Sequence, residues 1–162
     1  MSKVALQFSR TSGLISQAIS YFGAGRWAHV DIVVPGGLLG ARSDHIYDEA
    51  KNVWIDPGVQ IRPFNYAPWL ETMTVEIECE PWQLTVGGDF LAEQIGKPYD
   101  KLAIVGFAVN RDWRDDEHWF CSELVTRFLE VAQLCPKLPL PVSKITPGAC
   151  ALISCALGGR VK

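Results

Sequence analysis

The chain has 162 residues, of which 48% are hydrophobic and 20% charged, and a formal net charge of −3. That length suits one domain spanning 1–162 with one substantial core, and that balance excludes an extensively disordered chain. With a slight acidic excess and no basic run, nucleic acid is not an expected partner, and no apolar stretch is long enough for a membrane span.

Near the N-terminus, Lys3 and Arg10 bracket only a short apolar stretch with no small-residue cleavage site after it, so no secretory signal is read. The expected setting is the cytoplasm, or a particle assembled there, such as a phage or lysis system that delivers the protein. Val4 to Phe8 predicts a first strand. Leu14, Ile15, Ala18, Ile19 and Phe22 follow helical spacing, with Gly23 and Gly25 ending the helix. His29 to Val34 is rich in β-branched residues and predicts a strand, and Leu38 to Ala41 returns as its hairpin partner after Pro35-Gly36-Gly37.

Residues 43–58 carry Asp, Asn, Pro and Gly and read as a loop. Val59 to Arg62 predicts a short strand. Met73 to Cys79 predicts a longer one, with Met73, Val75, Ile77 and Cys79 on one face. Trp82 to Ile95 reads as a helix stopped by Gly96-Lys97-Pro98. Leu102 to Val109 predicts a short helix, and Asn110 to His118 a charged loop. Cys121 to Leu134 reads as an amphipathic helix. Thr146 to Leu157, with Pro147 at the first helical position, predicts a last one. Strands in the first half and helices in the second indicate an α+β fold.

The chemistry concentrates at Cys121, where a charged loop meets a helix. A helix N-terminus offers unpaired N–H groups and the positive end of its dipole. Both favour a nucleophilic thiolate and can hold a developing oxyanion. The competing reading is a core filler, since Cys121 shares a face with Leu124, Val125 and Phe128 and free cysteines are often buried and inert. His29 and Asp31 lie on one face of their strand, with Val30, Ile32 and Val34 on the other. A carboxylate beside an imidazole fixes its tautomer and stabilises its charged form, although a short His-x-Asp also suits an ordinary polar strand face. His45 and His118 are weaker candidates; His118, three residues before Cys121, is the alternative base. Glu123 reads as a solvated first-turn charge. Tyr99 is a core anchor or a pocket wall.

Five cysteines without a secretion signal do not suggest a disulfide framework. With no CxxC pair there is no sign of a metal site, and no cofactor is indicated. There is no GxSxG elbow for a serine hydrolase and no phosphate-binding loop. Six tryptophans serve as core and rim, or line a groove for an apolar or carbohydrate ligand.

Three segments in order resemble a known family. They are Trp27-Ala28-His29-Val30-Asp31-Ile32-Val33 with the hairpin Gly36 to Ala41, then Gly96-Lys97-Pro98-Tyr99-Asp100, then Trp119-Phe120-Cys121-Ser122-Glu123-Leu124-Val125. Together they resemble the circularly permuted branch of NlpC-type papain-like proteins, the YiiX-like group, over about residues 4 to 134. The resemblance implies a papain-like core, a small antiparallel sheet packed against helices, with the histidine strand preceding the cysteine helix. It implies Cys121 as nucleophile and His29 as general base, and it places Tyr99 and Trp119 as candidate substrate-binding residues. Many relatives carry an orienting polar residue on the strand after the histidine strand. Here Leu39-Gly40-Ala41 offers none, and Asp31 takes that role as in other members.

The implied activity is a cysteine peptidase or amidase working through a thioester, on a peptide, a peptidoglycan fragment or an acyl-lipid. A lipid-directed thioesterase or acyltransferase, with Leu102 to Phe107 and the tryptophans lining an acyl pocket, is one alternative. A catalytically inactive binding module on the same fold is another.

Overall fold

The computed structural model describes residues 2–13, 16, 17, 19, 21, 25–99 and 119–162. Alternation of apolar side chains builds its main sheet. In β1 (Ser2–Arg10) the alternating residues Val4, Leu6 and Phe8 are buried. β2 (His29–Val34) buries Val30 and Ile32, and β7 (Glu71–Cys79) buries Val75, Ile77 and Cys79. Register places these side chains side by side, with Leu6 opposite both Ile32 and Val75, and Phe8 opposite Val30. Each fully buried Leu or Phe contributes about 1.5–3 kcal/mol relative to an exposed one.

β3 (Gly37–Arg42) and β6 (Gly58–Arg62) extend one side, and the two-residue strand β8 (Arg160–Val161) the other. The six strands run in the order β6-β3-β2-β1-β7-β8, every neighbouring pair antiparallel. The β2–β3 hairpin closes through Pro35-Gly36, where Gly36 has φ +87°. That left-handed conformation costs glycine nothing and other residues a steric penalty.

Helix α1 (Pro81–Gln94) starts with Pro81 in its first turn and a reciprocal capping box between Glu80 and Gln83. Helix α2 (Cys121–Val131) packs on β2 and β3, with Leu124, Val125, Phe128 and Leu129 in the shared core. Helix α3 (Pro147–Ala156) is capped by Thr146, whose hydroxyl accepts the Ala149 N–H at 3.2 Å. The described residues therefore form a mixed α+β fold, an antiparallel sheet with helices packed on it.

Some sequence expectations change. Residues 43–58 are not a plain loop: β4 (Ile46–Asp48) and β5 (Val53–Ile55) form a small hairpin. Three-residue strands separated by Glu49-Ala50-Lys51-Asn52 carry too short a pattern to read. β8 was likewise too short to anticipate. Glu123 is buried at 5% exposure, because Cys121 to Thr126 is enclosed on all sides. The sheet covers one flank, and Ser122 Oγ donates to the Ile145 carbonyl on another. Ser16, Gln17, Ile19 and Tyr21 are helical, within the predicted span. The other apolar positions of that helix (Leu14, Ile15, Ala18, Phe22) lie outside the described residues, as do Gly23, Asp100, the helix predicted from Leu102 to Val109, and the loop from Asn110 to His118.

Candidate active site

His29 opens β2 opposite Ser9 of β1, at the end of the sheet reached by the start of α2. Period-2 alternation puts His29 and Asp31 on the face away from Val30 and Ile32, and the two side chains meet there. His29 Nε2 lies 2.8 Å from Asp31 Oδ1. The imidazole is also within hydrogen-bonding reach of the Cys121 side chain. Cys121, His29 and Asp31 thus form one chain of contacts, drawn from the first residue of a helix and two alternating positions of a strand.

The face carrying Asp31 is covered rather than solvated. Asp31 is 1% exposed, and Tyr66 donates its phenol to Asp31 Oδ2 at 2.6 Å. Two guanidinium groups flank the Tyr66 ring, Arg42 at 5.1 Å and Arg62 at 5.9 Å from its centre. Arg62 is itself buried and donates to the carbonyls of Gly40 at 2.9 Å and Gly58 at 3.0 Å. Arg42 grips Asp44 through two hydrogen bonds, at 2.7 and 2.8 Å. Tyr66 is the site residue that sequence reasoning missed. It lies 35 residues from Asp31 in a stretch with no periodic pattern.

The electrostatics follow from this enclosure. Burial disfavours the charged imidazolium of His29. The Asp31 carboxylate and Cys121 outweigh it by charge and hydrogen bonding, and raise the His29 pKa to about 9. Burial likewise opposes the Asp31 anion, but His29 and the Tyr66 hydroxyl hold its carboxyl below the usual range. Burial and the neighbouring Asp31 push the Tyr66 phenol well above its ordinary value, so it remains a donor. Elsewhere burial raises the thiols of Cys135 to about 11 and Cys150 to about 12. All five cysteines are free, and Cys155 is the exposed one.

Phe120 stands at the N-cap of α2 and has no side-chain oxygen to take the first-turn N–H groups. A helix start of this kind carries the positive end of the helix dipole beside the thiol. Cys121 itself is 1% exposed.

A cavity of about 300 Å³ opens beside His29, with Ser9, Arg10, Arg42 and Tyr99 in its wall. Tyr99 is 8% exposed, and its ring lies 5.8 Å from that of Phe120. It is held there because Gly96 donates to Val59 at 2.8 Å, Val59 to Lys97 at 2.9 Å, and Trp119 to Pro98 at 3.0 Å. The Trp119 indole turns toward α1, donating to Gln94 at 3.2 Å and meeting Phe90 edge-on. Tyr99 therefore reaches the cavity wall, while Trp119 braces α1. His45 is exposed, 3.5 Å from Asp56. His118 lies outside the described residues. Among the described residues, no group of three or more His, Cys, Asp or Glu is placed to hold a metal ion. No described helix is long and apolar enough to cross a membrane.

The chain matches no protein-family model, and no curated protein is significantly similar to it.

Proposed function

We propose that this protein is a cysteine hydrolase of the permuted, papain-like NlpC type that cleaves an amide or peptide bond. The observation that carries the reading is the position of the His29 imidazole. It is shared between the Asp31 carboxylate at 2.8 Å and the Cys121 side chain at the first residue of α2. A buried thiol acting only as filler has no need of a charged imidazole beside it.

The mechanism follows from these groups. The Cys121 sulfur attacks the substrate carbonyl carbon, and the oxygen takes the developing charge against the first-turn N–H groups of α2. As the C–N bond breaks, His29 gives its proton to the departing nitrogen, leaving a thioester on Cys121. Water then attacks the thioester carbonyl and passes a proton to His29. The C–S bond breaks, the acid leaves, and the thiolate–imidazolium pair is restored. Asp31 keeps the imidazole oriented and supports its charge throughout.

A lipid-directed thioesterase or acyltransferase would run the same steps with another acyl donor or acceptor. The cavity wall sets Thr11, Arg42 and Asp44 beside Ile19, Ala28 and Trp69. An inactive binding module is the second reading, and the enclosure of Cys121 is the observation in its favour. Incubation with peptides, muropeptides and acyl esters separates the three. Hydrolysis of a peptide or muropeptide that disappears in Cys121→Ser supports the proposal. Turnover of acyl esters alone, or of nothing, refutes it.

A further inference from the structure

The cavity beside His29 is bounded by the imidazole and not by the Cys121 sulfur. In the mechanism above the acyl half of the substrate becomes bonded to sulfur, while the departing nitrogen must lie within hydrogen-bond reach of His29. A space on the histidine side therefore suits the departing half. Its volume of about 300 Å³ stands at the small end of ligand sites and suits a small group.

Its walls define the chemistry of that group. Ser9 faces His29 across the β1–β2 ladder and is fully buried, yet its Oγ finds no hydrogen-bond partner among the described residues. Buried hydroxyls are normally paired, so among the described residues Ser9 adds an unmatched polar group to this wall. The described lining carries three cationic groups, Arg10, His29 and Arg42, against one carboxylate, Asp44. Arg42 holds Asp44, and Arg10 meets Glu71 through Nε at 3.0 Å. A guanidinium has five N–H donors, so one such pair does not exhaust it. A small polar amine that also carries a negative charge fits this wall.

Resting on the hydrolase reading, we propose that this cavity is the leaving-group subsite and takes a single amino acid residue with a free carboxylate. The enzyme then removes the C-terminal residue of a peptide. The amide C–N bond breaks, the departing nitrogen receives the His29 proton, and water supplies the new carboxylate of the shortened peptide.

The test uses the full chain and two pools of N-acetylated hexapeptides of mixed sequence, one with free and one with amidated C-termini. Mass spectrometry reads the products, with Cys121→Ala as the blank. The expected result is loss of one C-terminal residue, roughly 10-fold or more faster from the free-carboxylate pool, the effect of losing a charge-assisted contact. That preference should fall in Arg10→Gln or in Arg42→Gln. Equal cleavage of both pools, internal cleavage, or a preference untouched by both substitutions overturns the subsite assignment and leaves the hydrolase standing. No cleavage of either pool, with acyl esters turned over instead, overturns the peptide reading as well.

Discussion

The Asp31 carboxylate occupies the space that a side chain at position 40 would fill: a Cβ added to Gly40 would lie 1.8 Å from Asp31 Oδ1. Gly40 sits on β3, the strand after the histidine strand, where the resemblance leads one to look for an orienting polar side chain. The carboxylate comes instead from two residues beyond His29 and leans over the bare glycine. The absence of a side chain at 40 and the presence of one at 31 are two halves of one arrangement. Gly40→Asn is therefore expected to displace Asp31 and to cut the alkylation rate of Cys121 about 10-fold, the effect of losing one hydrogen bond to a charged group. Adding Asp31→Ala to Gly40→Asn should recover part of that rate, because the amide then has the vacated space. A double variant slower than Asp31→Ala alone would show that the two positions do not substitute for each other.

Asp31 is also what keeps His29 charged. Proton NMR of the imidazole should give a titration midpoint near 9 in the wild type. In Asp31→Asn the midpoint should fall by about one unit or more, since the opposing burial remains while the favourable charge is lost. A midpoint unchanged by the substitution would remove Asp31 from its orienting role.

The same pair makes stability depend on pH in a defined direction. The His29 pKa is raised in the folded state, so its contribution is complete below the ordinary value of 6.5 and is lost as pH rises through about 9. The Asp31 pKa is lowered, so its contribution is complete above the ordinary value of 3.8 and is lost as pH falls through the lower folded value. Thermal unfolding of the wild type and Asp31→Asn should differ most between pH 3.8 and 6.5, by about 1–3 kcal/mol. The gap should narrow toward pH 9. A difference that grows from neutral to alkaline pH would contradict the assigned charges.

Helix α1 lies against α2 through Gly87. A Cβ there would meet Phe128 Cε2 at 2.4 Å and Ala132 Cβ at 3.2 Å. Helix propensity alone favours Gly87→Ala by about 1 kcal/mol, but overpacking costs about 1–3 kcal/mol. Net destabilisation is expected in urea unfolding, with the Cys121 environment shifted through α2. A more stable variant would mean that the two helices separate without cost.

Much of the sheet was legible because its pattern is local. β2 has the predicted limits, from His29 to Val34, because β-branched alternation and the Pro35-Gly36 turn bound it on one side. That same alternation put His29 and Asp31 on one face before any contact was known. What alternation could not supply was the cover over that face. Tyr66, Arg42 and Arg62 reach Asp31 or each other only after β3 and β6 are paired, and their sequence neighbourhood carries no period. Glu123 departs from expectation for a related reason: charge suggests solvent, but the residues of the first turns of α2, Cys121 to Thr126, are buried.

The central claim is that His29 activates Cys121. Its most direct test is the rate of iodoacetamide alkylation of Cys121 at pH 7, in a Cys155→Ser background that removes the exposed thiol. The buried Cys135 and Cys150 serve as internal controls, since burial holds both as unreactive thiols. The account predicts selective labelling of Cys121 that falls about 10-fold or more in His29→Ala, as loss of a charged hydrogen-bond partner implies. Labelling of Cys121 no faster than that of Cys135 and Cys150, and indifferent to His29→Ala, would contradict it.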